Sequence, residues 1–136
     1  MINRGLVRDY LERSGHRLAA IDVLYERRAW ADVVRESQEV VELSLKALLR
    51  HVNIDAPRIH DVGRVVQDHR NHLPETLRPH ADRMAAISKN LRRDREIAFY
   101  GSEDLTPSDF YVEEDAAQAR ADATWLVRTI EAVVLK

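Results

Sequence analysis

Apolar residues recurring every three or four positions, over stretches of twenty or more, constrain this chain most, because that period suits a helix and not a strand. The clearest stretch is 30–51. Trp30, Val34, Ser37, Val41, Ser44, Leu45, Leu48 and Val52 trace one face, and Val33, Val40 and Ala47 broaden it. So wide an apolar arc exceeds what one partner helix needs. It predicts a central helix, or one that also meets a second subunit. Glu42 and Lys46 stand four apart, in the favourable order for a helical ion pair.

The same period predicts helices over 4–28, 60–71, 74–99 and 112–134. In the first, Val7, Leu11, Leu18, Ile21 and Tyr25 share a stripe, and Ser14 and Gly15 offer a place for a neighbouring helix to approach. In the fourth, Leu77, Met84, Ile87, Leu91 and Ala98 form the buried stripe. Arg95 falls within that stripe, whereas Arg93 and Tyr100 fall on the opposite side. An arginine on an apolar stripe needs a partner, a groove or a subunit interface. Asn53 is placed to cap the second helix and Gly101 to end the fourth. Thr106-Pro107-Ser108-Asp109 reads as a helix-start box. The expectation is an all-α chain with one domain over 1–136, an up-and-down bundle of four long helices plus a short one.

A chain of 136 residues with four glycines and four prolines suits one helical domain. Its net charge of −2 argues against a surface coated in basic charge for duplex binding, but not against a local basic site. With no cysteine, disulfides, thiolate metal sites and a cysteine nucleophile are excluded. No run approaches a membrane span and the first residues lack a secretory h-region, so a soluble, cytoplasmic protein is expected.

The candidate chemistry lies near the end of the fourth predicted helix. Lys89, Arg92, Arg93 and Arg95 are the densest cluster of cations, and Phe99, Tyr100 and Gly101 follow. Guanidinium forks match phosphate geometry, and an exposed aromatic can stack on a base. The plainer reading is a solvated helix end whose cations complement the dipole. Phe99 reads as packing, and Tyr25 and Trp30 as bundle-end packing. His60 and Asp61 read as an acid–base pair or, more simply, as a helix cap. His69 and His72, with Asp68 nearby, lack a clear third ligand, so no metal is expected.

Two segments carry a resemblance to a known family. Within 30–49, Glu42-Leu43-Ser44-Leu45-Lys46-Ala47-Leu48-Leu49 is similar to the Glu-x3-Lys-Ala-Leu-Leu phrase that ends the second helix of HEPN domains. Ile59-His60-Asp61-Val62-Gly63 is similar to that family's His-Asp-x-Gly helix start, and Tyr111-Val112-Glu113-Glu114-Asp115-Ala116 also fits. The resemblance covers nearly the whole chain. It implies a homodimer with a cleft lined by the end of the fourth helix. Many members are metal-independent ribonucleases, and several are toxins paired with a small nucleotidyltransferase-like antitoxin.

The family's active motif is Arg, four to six residues, then His. Here Arg95 followed by four residues reaches Tyr100, as does Arg93 followed by six. Tyrosine, with a pKa near 10, is a poor base at neutral pH but hydrogen-bonds and stacks well. The resemblance therefore implies nucleotide or RNA binding by Arg93, Arg95, Tyr100, Arg92 and His60. A ribonuclease would use Arg95 to stabilise charge and Tyr100 or His60 to shuttle protons. A non-catalytic dimerisation module is the third reading.

Overall fold

The computed structural model describes residues 3–55, 61–93 (backbone alone at Arg93), 100–101 and 105–136. Within them, α1 spans Arg4–Glu26, α2 Trp30–His51, α3 Val62–Asp68, α4 Ala81–Arg93, α5 Pro107–Phe110 and α6 Glu113–Val134. Two 3-10 turns, Arg70–His72 and Arg78–His80, join α3 to α4. Among the described residues there is no strand, and no described helix is long and apolar enough to cross a membrane.

The first two helices end in the same way. Arg28 has φ 60° and Asn53 φ 61°. The N–H of Arg28 donates to Tyr25 O and that of Ala29 to Leu24 O; Asn53 donates to Arg50 O and Ile54 to Leu49 O. Each set is the paired closure of a left-handed residue just past a helix. Asparagine tolerates that conformation. Arginine there is the more costly choice, because its Cβ crowds the following carbonyl. At the other end of α1, the Asn3 carboxamide accepts from Leu6 N at 2.9 Å.

α2 is the central helix. Its buried residues include Val33, Val34, Val40, Val41, Leu45, Leu48 and Leu49, on nearly all sides. It packs against α1, α6, α4, α3 and α5. These partners within one chain account for its wide apolar arc, which therefore calls for no second subunit. Ser14 lies buried in α1 and donates to Tyr10 O at 2.8 Å; Ser44 of α2 donates to Ser14 Oγ at 3.0 Å. The small pair lets α1 and α2 close as the sequence suggests. Gly15 plays no such part: nothing lies within 4 Å of where its Cβ would be.

The fourth helix begins later than its pattern predicts, at Ala81 rather than residue 74. The cause is Pro79. A proline inside a helix has no N–H to donate, and its ring strikes the carbonyl four residues back. Residues 74–80 instead form turns, with Leu77 N donating to Pro74 O and Arg78 Nε to Leu73 O. Leu73 and Leu77 are still buried, at 1% exposure each, so the stripe survives without the helix. The 60–71 helix is also shorter than predicted and yields to a 3-10 turn after Asp68. The helix-start box at Thr106 caps α5 alone, and α6 starts separately at Glu113.

Aromatic and ionic contacts fasten the outer helices. Arg83 lies over the Trp125 ring at 3.7 Å from its centroid, with His80 edge-on at 5.4 Å, which ties the start of α4 to α6. Arg120 lies over Tyr25 at 4.6 Å and pairs with Asp22 at 2.8 Å, which ties α6 to α1. Tyr25 and Trp30 meet edge to face at 5.0 Å, the bundle-end packing their positions suggest.

Candidate functional site

The described part of the site begins on the outer face of α4. Met84, Ala85, Ile87, Ser88 and Leu91 turn inward, and Lys89 and Arg92 are exposed. Neither Lys89 nor Arg92 has an ion-pair partner among the described residues. Arg93 is the last described residue of α4. Its side chain, and the whole of Arg95, Phe99 and His60, lie outside the described residues.

The chain re-enters at Tyr100, a helical position followed by Gly101 at φ +82°. A Cβ on Gly101 would stand 2.6 Å from Leu105 O and 2.8 Å from Pro107 Cδ. Only glycine permits both that φ and that approach. The glycine thus folds Tyr100 back beside the start of α5, and α5 packs on α2. Thr106 Oγ1 accepts from Asp109 N at 3.2 Å, and Tyr111 anchors the segment at 4% exposure. Phe110 stands edge-on to Tyr111 with centroids 4.9 Å apart.

This knot carries four of the five exposed large hydrophobics among the described residues. Tyr100 is 76% exposed, and Leu105, Phe110 and Val112 are also exposed; Val23 on α1 is the fifth. Scattered exposed hydrophobics need no explanation, but these four fall within thirteen residues of one segment. The predicted aromatic of the site is therefore at the surface. Phe110 joins it without having been indicated by the sequence, because only the fold of Gly101 onto Pro107 brings α5 alongside.

Other candidates take structural parts. Glu42 pairs with Lys46 at 3.5 Å and accepts from Gln38 Nε2 at 2.8 Å, the helical pair read from the sequence. Asp61 caps α3, its Oδ1 accepting from Gly63 N at 3.0 Å. Gly63 follows because a Cβ there would meet Ser88 Cβ at 2.9 Å and Ala85 Cα at 3.0 Å; the two helices touch backbone to side chain. His69 and His72 stack edge to face with centroids 5.8 Å apart. Among the described residues no three of His, Cys, Asp or Glu gather at metal-binding distance.

Open grooves mark the described surface. One, of about 710 Å³ between α1 and α6, is lined by Gly15, Ala19, Ala117 and Ala121 among others. A smaller one of about 200 Å³ lies over the ion-paired α1–α2 face. A third, about 420 Å³, runs between α3 and α4 and includes Lys89.

A family model for the HEPN domain matches residues 7–133. The chain belongs to the HEPN domain family. No match to a curated protein or to a solved structure reaches significance. Membership agrees with the all-helical fold, and the quoted HEPN phrases have physical reasons in it. The lysine of the α2 phrase pairs with its glutamate, the aspartate of the α3 phrase caps the helix, and the glycine admits α4. Tyr100, the aromatic of the site read from the sequence, is at an exposed position.

Proposed function

We propose that this HEPN protein is a single domain over 1–136 that binds a nucleotide or RNA in the cleft of a cytoplasmic homodimer. Arg95, Arg93 and Tyr100 form the core of the site, with Arg92 and His60 at its edge. The observation that carries this reading is the exposed Tyr100 ring, a few residues beyond Lys89 and Arg92, which have no ion-pair partner among the described residues. Cations without carboxylate partners keep their charge for an anion, and guanidinium forks suit phosphate. Aromatic faces stack on bases whatever the sequence.

Within this reading the protein is the toxin-like member of a pair with a nucleotidyltransferase-like antitoxin. Metal-independent RNA cleavage is the alternative that the family raises. There Arg95 would stabilise charge at the scissile phosphate and Tyr100 or His60 would move the proton. A phenol hydroxyl is a poorer general base than the imidazole of the family motif. Binding without turnover is therefore the favoured form.

Thermal unfolding with added nucleotides tests binding, since a ligand of the native state raises the midpoint by mass action. A nucleotide-dependent rise that disappears in Arg95→Ala is expected. No rise with any nucleotide would leave only the dimerisation module standing. RNA incubated in EDTA with wild type and Tyr100→Phe tests turnover. Cleavage by wild type that Tyr100→Phe abolishes would replace the binding reading with the ribonuclease.

A further inference from the structure

The α3–α4 groove has an unusual charge balance. Its walls carry Asp61, Arg64, Gln67, Asp82 and Lys89. Both carboxylates are already engaged. Asp61 accepts from the Gly63 N–H. Asp82 accepts from Gln67 at 2.8 Å and pairs with Arg70. The Gln67 hydrogen bond first, and then Arg70, hold its carboxyl below the usual range. Neither Arg64 nor Lys89 has an ion-pair partner among the described residues, and both are exposed. Among the described residues the groove thus presents two cations that are in no ion pair, beside Asp82, which is paired with Arg70, and Asp61, which keeps its charge.

Its position matters as much as its charge. Gly63 brings α3 onto α4 at Ala85 and Ser88, which places Arg64 across the groove from Lys89. Arg92 follows Lys89 at the next turn of α4, about 4.5 Å further along the axis. The cations therefore continue from the groove along α4.

We infer that this groove is a second phosphate subsite, in which Arg64 and Lys89 hold a backbone phosphate of a single-stranded RNA whose neighbouring nucleotide occupies the site at the end of α4. The inference rests on the nucleic-acid reading of that site and names its substrate as a strand longer than one nucleotide. A single strand suits the geometry, because its phosphates can follow a groove and its bases remain free to stack.

The test compares a fluorescein-labelled oligouridylate of about ten nucleotides with a mononucleotide. The proteins are wild type, the single variant Arg64→Ala, the double variant Arg64→Ala/Lys89→Ala and the charge-keeping Arg64→Lys. Both side chains are exposed, so the variants should fold, and thermal unfolding without ligand checks this. The double variant should bind the oligonucleotide about tenfold more weakly, with the slope of log affinity against log salt shallower by about 0.7, one single-strand phosphate's worth. Mononucleotide binding should be unchanged in the single variant Arg64→Ala, and Arg64→Lys should keep most of the affinity. Wild type that binds mononucleotide and oligonucleotide equally would overturn the groove and leave the α4 site standing. Wild type that binds neither would overturn both. An oligoglutamate bound as well as the oligonucleotide would also overturn it.

Discussion

At the scale of single residues, two side chains test the local physics. Gly63 is glycine because α4 leaves no room for a methyl group, with Ser88 Cβ at 2.9 Å and Ala85 Cα at 3.0 Å from its place. Gly63→Ala should force α3 off α4 and cost about 1–3 kcal/mol, the usual range for overpacking. Urea denaturation reads this directly, and an unchanged midpoint would contradict the contact. His51 gives a pH signature. Burial, and then the Arg4 guanidinium, hold its imidazole below the ordinary 6.5. The unfolded chain therefore takes up the proton at higher pH than the folded one. The stability from neutral His51 is complete above about 6.5 and is lost as pH falls from there through the lowered folded value. Urea midpoints between pH 8 and 5 should fall more steeply in wild type than in His51→Gln. Parallel curves would show that His51 is not the group responsible.

At the scale of elements, α2 carries the fold, and its two buried serines behave differently. Ser44 donates to Ser14 across the α1–α2 contact, whereas the Ser37 hydroxyl is buried with no hydrogen-bond partner among the described residues. Ser44→Ala should cost about 0.5–1.5 kcal/mol, the net worth of a lost hydrogen bond. Ser37→Ala should be neutral or stabilising, since it removes a desolvated hydroxyl. Equal losses in the two variants, measured by urea unfolding, would contradict this assignment. The elements also show where sequence reading works and where it fails. The α1, α2 and α6 stripes are long and carry no internal proline, so the helical period alone locates them. Pro79 interrupts the fourth stripe, but Leu77 keeps the apolar spacing across the break, and periodicity cannot distinguish a buried turn from a helix. The short caps at Asp61 and Thr106 were legible because capping is local. The approach of Gly63 to Ala85, which places Arg64 beside Lys89, was not, because it depends on two segments more than twenty residues apart.

At the scale of the whole molecule, the fold divides the chain into a fastened side and an available one. The α1–α6 side is held by the Arg120–Asp22 pair and by Arg120 over Tyr25, and Arg83 over Trp125 ties α4 to α6. On the α3–α4 side, Arg64, Lys89 and Arg92 are free of ion pairs among the described residues. These exposed cations belong to a molecule whose net charge is −2. Tyr100, read from the sequence, is at the surface, Arg95 and His60 lie outside the described residues, and Arg64 shares a groove with Lys89 through tertiary packing alone. The broad α2 face, by contrast, is used up inside the chain, so the expected dimer rests on HEPN membership and is open to sedimentation analysis.

The central claim is that the end of α4 and Tyr100 bind RNA. Fluorescence anisotropy of a short labelled single-stranded RNA, titrated with wild type, Arg95→Ala and Tyr100→Ala at fixed salt, tests it most directly. Saturable binding by wild type is expected, weakened at least tenfold in Arg95→Ala by loss of a charge-assisted phosphate contact and about five- to a hundredfold in Tyr100→Ala by loss of stacking worth about 1–3 kcal/mol. No binding by wild type, or equal binding by all three, would contradict it.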